Sequence, residues 1–245
     1  MRDHPKILGV IPAHLGSQRL PGKVLLNIGR KPMVHWVYER ARQSSLLGGL
    51  LVATDSETVQ QYCQNHDIPV MQTGEHPSGS DRLHEVMERT DGDIYVNIQG
   101  DEPTIRADHI ELLLRPILNG DAEVTTLKVA LDQDSARDPN YVKVVTDNRG
   151  RALYFSRSFI PFDRDGRGGI RFYKHIGLYG YTRAALTLFH SLPQSSLELA
   201  EKLEQLRYLQ NGVDILVAET PYDTIGVDTA ADLERAAAFL MAKDS

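Results

Sequence analysis

From Ile7 to Leu118, short unbroken apolar runs alternate with segments of helical period, and that alternation restricts the chain to an α/β fold. Ile7-Leu8-Gly9-Val10-Ile11, ended by Pro12, has the uniformly apolar character of a strand buried on both faces of a parallel sheet. Leu50 to Thr54, Ile68 to Met71 and Asp93 to Ile98 are expected strands too. Between the first two, Met33, Val34, Val37, Tyr38 and Ala41 recur at helical spacing behind Lys31-Pro32. A second helix follows a cap at Asp55 or Ser56, a third runs from about Asp81, and a fourth spans His109 to Leu118. Strands alternating with helices need crossover connections, which predicts a mainly parallel central sheet flanked by helices.

Beyond Glu123 the pattern changes. Val124 to Ala130, Val142 to Thr146, Leu153 to Ser156 and His175 to Tyr181 read as strands joined by turns such as Asp147-Asn148-Arg149-Gly150, which predicts a smaller antiparallel subsheet. Ser196 caps an expected helix carrying Leu199, Ala200, Leu203, Leu206 and Leu209, stopped by Asn211-Gly212. A strand from Val213 to Ala218 follows, and Thr229-Ala230-Ala231-Asp232 resembles a capping box opening a last helix. The 245 residues suffice for one large domain.

A formal charge of −6 gives no general attraction to nucleic acid or to an anionic membrane, so a polyanionic substrate would need a local basic pocket. Cys63, the single cysteine, excludes an intramolecular disulfide, and no Cys/His cluster has zinc-ligand spacing. The start, Met1-Arg2-Asp3-His4-Pro5-Lys6 followed by Ile7 to Pro12, is too short for a signal-peptide core, and no apolar run reaches membrane-spanning length. The expectation is a cytoplasmic protein with no nucleic-acid partner and no membrane insertion.

Several familiar sites are missing. Gly16-Ser17-Gln18-Arg19-Leu20-Pro21-Gly22-Lys23-Val24 is one residue too long for a P-loop, and Val24 lacks the hydroxyl that would meet magnesium. No G-x-G-x-x-G follows the first strand, and the G-x-S-x-G and H-E-x-x-H signals are absent. What the loop does carry is Arg19 and Lys23 among glycines, just past the carboxyl end of the first strand, where open parallel sheets bind ligands. Such a loop suits the phosphates of a nucleoside triphosphate, and Arg82 is a third candidate cation. Asp101 and Glu102 lie past the end of a central strand beside Gly100, and Asp228 immediately precedes the capping Thr229. Each Asp could equally be a turn or capping device; together they could hold Mg²⁺ while substrate oxygens and water complete its shell.

These residues resemble a known family, the CMP-Kdo synthetases, or 3-deoxy-manno-octulosonate cytidylyltransferases. The resemblance spans nearly the whole chain: Ile11-Pro12-Ala13, Arg19-Leu20-Pro21-Gly22-Lys23, Lys31-Pro32-Met33, Ser78-Gly79-Ser80-Asp81-Arg82-Leu83 and Gln99-Gly100-Asp101-Glu102-Pro103 come in order. Ala152-Leu153-Tyr154-Phe155-Ser156-Arg157, His175-Ile176-Gly177-Leu178-Tyr179-Gly180-Tyr181, Leu203-Glu204-Gln205-Leu206-Arg207 and Gly226-Val227-Asp228-Thr229 complete the set. Singly these motifs are weak, but their ordered set is specific. The resemblance implies a nucleotide-diphospho-sugar transferase-like α/β fold, with a nucleotide-binding half over about 1–122, a sugar-binding and dimerisation part over about 123–212 and a metal-ligand segment with its helix over 213–245. It implies that Arg19 and Lys23 grip the CTP phosphates, that Ser80 and Arg82 lie near the nucleotide, and that Asp101 and Asp228 hold Mg²⁺. Gln99, Arg157, His175, Tyr179, Glu204 and Gln205 would line the sugar-acid pocket, with Arg157 the partner for the carboxylate. Lys23, Asp101 and Asp228 would then be the catalytic set, and the anomeric hydroxyl of the sugar acid would attack the α-phosphorus of CTP in a homodimeric enzyme of lipopolysaccharide or capsule biosynthesis.

Two positions depart from the family pattern. His14 stands where most members have Arg and is a weaker phosphate partner at neutral pH, and Val24 replaces the usual proline after the lysine. The alternative substrates are 8-amino-Kdo or another ulosonic acid. The alternative outside catalysis is an inactive nucleotide-binding paralogue.

Overall fold

A computed structural model describes residues 5–17, 19–166 and 168–242; Met1 to His4 of the expected N-terminal lead and Gln18 of the basic loop lie outside them. The chain divides into two compact units, Met1–Glu111 with Thr224–Ser245, and Leu112–Asp223.

The first unit opens with β1 (Ile7–Pro12), then a small antiparallel hairpin of β2 (Asn27–Ile28) and β3 (Lys31–Pro32), and α1 (Met33–Ala41). There follow β4 (Gly49–Thr54), α2 (Glu57–Asn65), β5 (Val70–Gln72), α3 (Gly79–Glu88) and β6 (Ile94–Asn97), after which α4 (Ala107–Leu118) carries the chain onward. β1 pairs in parallel with β4 on one side and β6 on the other, and β4 pairs in parallel with β5, giving the order β6-β1-β4-β5. Val10, Ile11, Val52, Ala53 and Val96 are fully buried, which explains why these runs are apolar without alternation. Ser56 caps α2 by accepting from the Val59 amide, and Ser78 caps α3 by accepting from the Asp81 amide, so α3 starts two residues earlier than expected. After β5 the chain crosses back over β1 to add β6 on its far side. That reversal is a topological switch point, and ligands of open α/β sheets bind beyond the carboxyl ends of the strands there.

The second unit contains β7 (Val124–Leu131), β8 (Lys143–Thr146), β9 (Ala152–Ser156) and β10 (Phe172–Thr182), then α5 (Arg183–Ser191), α6 (Ser196–Glu201), α7 (Leu206–Gln210) and β11 (Leu216–Glu219). β10 runs antiparallel to β7, β8 and β9 form an antiparallel hairpin, and β8 meets β10 at the pair Lys143 and Lys174. This is the antiparallel subsheet expected from the turn spacing. The single helix expected after Ser196 is instead two, because Lys202 adopts the left-handed conformation (φ 55°) and stops α6. Its cap is Ser195, which accepts from the Glu198 amide while the Glu198 carboxylate accepts from the Ser195 amide.

β11 pairs in parallel with β7, and the chain returns to the first unit at Thr224. It ends in α8 (Ala230–Met241), opened by the expected capping box of Thr229 and Asp232. Ala236 and Leu240 of α8 bury against Ile28, Met33 and Trp36 in the first unit. Among the described residues no helix is long and apolar enough to cross a membrane.

Candidate active site

The centre of the first unit's site is an ammonium between two carboxylates. Lys23 Nζ donates to Asp101 Oδ2 at 2.5 Å, to Asp228 Oδ1 at 2.8 Å and to the Val227 carbonyl at 3.1 Å. Three chain segments meet here, each held for a local reason. Gly22 takes a left-handed φ of 66° and donates its amide to the Leu15 carbonyl, which folds the basic loop back and starts the short turn carrying Lys23. Gly100 lies so close to the end of β1 that a Cβ there would stand 2.6 Å from the Pro12 carbonyl oxygen, so only glycine lets the loop after β6 deliver Asp101. The returning segment is fastened by the Val227 amide donating to the Asp101 carbonyl at 2.9 Å and by the Asp228 amide donating to Asp232 Oδ2 at 3.2 Å.

Burial pulls the pKa of Lys23 down, but the charges and hydrogen bonds of Asp101 and Asp228 outweigh it, so the pKa is raised and the group stays an ammonium. Arg19 Nη2 reaches Asp228 Oδ2 at 2.7 Å while remaining largely exposed. The two expected metal carboxylates therefore converge on one cation, at the carboxyl ends of β1 and β6. Among the described residues no group of three or more His, Cys, Asp or Glu side chains forms a metal cluster. Two hard oxygen donors without a soft or imidazole partner are the set that suits Mg²⁺, which keeps most of its shell for water and phosphate oxygens.

The other expected nucleotide residues divide. His14 is exposed, and its Nδ1 accepts from the Gly16 amide at 3.2 Å, so it orders its own loop. Ser80 is buried in the first turn of α3. Arg82 is used differently from the free cation expected for the phosphates. It is 3% exposed, its Nη2 pairs with Asp55 Oδ2 at 3.1 Å, and its Nη1 donates to the Thr73 hydroxyl and the Gly74 carbonyl. That commitment ties α3 to the ends of β4 and β5. Gln99, half-buried, is the second residue past the end of β6.

The remaining expected residues lie in the second unit. His175 and Tyr179 both sit on β10 with ring centroids 5.4 Å apart, although a bulge interrupts the strand between them. Burial, reinforced by Lys174, lowers the pKa of His175 to about 3, so its imidazole is neutral. Burial raises the pKa of Tyr179 well above the ordinary phenol value, and the nearby Tyr181 and Glu204 add to the rise. The Tyr179 hydroxyl is drawn toward Thr126 but makes no hydrogen bond of regular geometry among the described residues; Gln205 Nε2 is likewise buried and unpaired. Glu204 is half-buried at the turn that leads into α7.

Arg157 is braced from several directions. Its Nε donates to the Glu201 carbonyl at 3.0 Å, its Nη1 to the Pro139 carbonyl at 3.3 Å, and its amide to Glu201 Oε2 at 3.0 Å. The Arg157 carbonyl accepts from Lys143 Nζ at 2.6 Å, and the same fully buried ammonium donates to the Asp138 and Tyr141 carbonyls. Sequence patterning gives no sign of Lys143, whose place in an expected strand looks like that of any surface lysine. Nothing in the pattern marks Asp55 as the partner of Arg82, and Thr126 looks like one more β-branched strand residue.

A sequence profile described as cytidylyltransferase matches residues 8–215. A 3-deoxy-manno-octulosonate cytidylyltransferase of Acidobacterium capsulatum is 53% identical over 228 residues, covering 93% of this chain and 93% of the relative. The enzyme of the same description from Koribacter versatilis is 48% identical, covering 98% of this chain and 92% of the relative. A solved structure of a CMP:2-keto-3-deoxy-manno-octonic acid synthetase complexed with CTP superposes with a TM-score of 0.93 at 45% identity, covering 98% of this chain and all of that one.

Proposed function

This chain belongs to the cytidylyltransferase family, among the 3-deoxy-manno-octulosonate cytidylyltransferases, and from that premise we propose how its residues perform the reaction. It transfers CMP from CTP to Kdo and releases pyrophosphate. The bond formed joins the sugar's anomeric oxygen to the α-phosphorus; the bond broken joins that phosphorus to the oxygen bridging to the β-phosphate. The hydroxyl proton leaves to solvent. No enzyme nucleophile is required, so the protein's work is alignment and the supply of positive charge where negative charge accumulates. Arg19 and Lys23 supply that charge to the triphosphate.

Asp101 and Asp228 are the residues that would hold Mg²⁺, and the observation carrying this reading is their convergence on the single ammonium of Lys23. The ion, when bound, supplies Lewis-acid stabilisation of the phosphoryl oxygens. In the second unit, Arg157 retains an uncommitted Nη2 among the described residues and is suited to the sugar carboxylate, while His175 and Tyr179 offer polar contacts to its hydroxyls. The enzyme acts in the cytoplasm as a homodimer and feeds an octulosonate into lipopolysaccharide or capsule.

The test is release of pyrophosphate from CTP, with Mg²⁺ or with EDTA, on addition of Kdo, 8-amino-Kdo or sialate. Kdo with Mg²⁺ is expected to give turnover. Preference for 8-amino-Kdo would reassign the substrate, turnover in EDTA would remove the metal, and no turnover with any acid would support the inactive paralogue. Asp101→Asn is expected to lower kcat by at least a thousandfold with an unchanged circular dichroism spectrum; near-normal turnover would take Asp101 out of the mechanism.

A further inference from the structure

Thr126 is a fully buried residue of β7 at the register shift in its pairing with β10. Along the pairing, His175 faces Lys128 and Ile176 faces Leu127, but the next partner, Thr126, faces Tyr179, so Gly177 and Leu178 bulge out of register. The bulge leaves two carbonyls aimed at one hydroxyl. Thr126 Oγ1 lies 2.8 Å from the Leu178 carbonyl oxygen and 3.2 Å from that of Ile176, and also 3.0 Å from His175 Nε2.

A threonine hydroxyl has one proton and two lone pairs. The Tyr179 hydroxyl is drawn toward the same oxygen without regular geometry and can only donate to it or stand aside. With carbonyl oxygens at two of the three regular contacts, the Thr126 proton must point at a carbonyl, because turning it toward the imidazole would set oxygen lone pairs against each other at 2.8 Å. The Thr126 oxygen is then an acceptor toward His175, and Nε2 must carry a proton to donate to it. Among the described residues Nδ1 has no hydrogen-bond partner, and the side chain is only partly buried. The edges of the ring are fixed by Phe155 at 5.0 Å and Tyr179 at 5.4 Å between centroids.

We propose that Thr126 is a positioning residue that fixes His175 as the neutral Nε2–H tautomer, leaving the Nδ1 lone pair to accept a hydrogen bond from a hydroxyl of the sugar acid. The inference deepens the Kdo reading and rests on it for the identity of that hydroxyl, but the tautomer itself does not. Burial keeps the imidazole neutral across the working pH range, so His175 has no charge to offer the carboxylate and that group is left to Arg157. A neutral acceptor selects a hydroxyl donor, and Thr126 decides which ring nitrogen does the selecting.

The test has two arms on the full-length protein. Long-range ¹H–¹⁵N spectra of histidine-labelled, ligand-free enzyme, assigned with His175→Gln, are expected to show His175 with a protonated Nε2 and a pyridine-like Nδ1. Thr126→Ser should keep that signature, and Thr126→Val should lose it to a tautomer mixture. In kinetics, Thr126→Val is expected to raise KM for Kdo about tenfold while leaving KM for CTP unchanged, with Thr126→Ser within about twofold of wild type. A wild-type spectrum with the proton on Nδ1, an unaltered signature in Thr126→Val, or equal KM changes for both substrates would overturn the proposal. If Thr126→Val does not fold, the wild-type spectrum and Thr126→Ser still decide it. If Kdo is not a substrate, all variants fail to turn it over while the spectra still report the tautomer.

Discussion

At the scale of single residues, the site is an arrangement of charges that satisfies itself before any substrate arrives. Removing Lys23 leaves Asp101 and Asp228 facing one another with only the exposed Arg19, on Asp228, as counter-charge, and both carboxylates are partly shielded from water. Lys23→Met is therefore expected to destabilise the enzyme in EDTA by about 1–3 kcal/mol, the exposure of the carboxylates keeping the loss below that of a fully buried pair. Added Mg²⁺ should recover much of the lost thermal midpoint, because a divalent ion replaces the missing charge. An unchanged midpoint in EDTA would mean that Lys23 does not hold the pair together. The second prediction concerns His14, which is exposed and, among the described residues, tied only to the Gly16 amide. His14→Arg puts a guanidinium, a bidentate phosphate donor, where the imidazole stands, so CTP affinity measured by calorimetry should rise about fivefold. No gain, or a loss, would show that the loop's own hydrogen bond matters more than the added charge.

At the scale of elements, the sequence was legible where burial alone decides the pattern and illegible where one backbone torsion or one pairing register does. The parallel strands β1, β4 and β6 are buried on both faces, so their apolar runs announce them, and the capping signals at Ser56 and Thr229 report the helices they start. The break between α6 and α7 was hidden, since leucines continue at helical spacing through it and the left-handed residue is Lys202, not glycine or asparagine. Asp101 and Asp228 could be suspected from their places at strand and helix ends, whereas the position of Lys23 between them and the roles of Thr126, Lys143 and Asp55 rest on contacts that no residue pattern marks. What holds the broken helical segment together is an ion pair between its two halves. Arg207 Nε and Nη2 grip both oxygens of Glu198 at 2.8 and 2.6 Å with both side chains buried. Burial raises the pKa of Glu198, but the bonds from Arg207 and the Ser195 amide outweigh it and the net shift is downward from 4.5. A lowered carboxylate pKa contributes stability that is present above the unfolded value and lost as pH falls through the folded one. Glu198→Gln should cost about 3 kcal/mol at pH 7 by urea titration, and its gap from wild type should shrink as pH drops below about 4.5. A gap independent of pH would mean that the pair's charge contributes nothing.

At the scale of the whole molecule, the question is what covers the apolar surface that the Leu112–Asp223 unit leaves open. Leu153 on β9 is 62% exposed, Phe162 in the following loop 77% and Leu199 on α6 48%, whereas large apolar side chains elsewhere in that unit, such as Phe155 and Leu206, are fully buried. Isolated exposed leucines need no explanation, and Leu118, Leu188 and Tyr222 of this unit are exposed as well, but Phe162 and Leu153 are the most exposed of its large apolar side chains and are the first to test as part of an interface between copies. A second copy is the occupant consistent with the homodimer proposed above, and a closed two-fold pairing buries the same patch on both subunits. The wild-type enzyme should sediment as a dimer at micromolar concentration. Leu153→Glu with Phe162→Glu should shift it to monomer, because each new carboxylate would have to be desolvated against apolar neighbours. Neither residue belongs to the unit that contains Lys23, Asp101 and Asp228, so CTP binding by the monomer should be retained while sugar-dependent turnover reports whether the second unit needs its partner. A wild-type monomer, or a double variant that stays dimeric, would place the interface elsewhere.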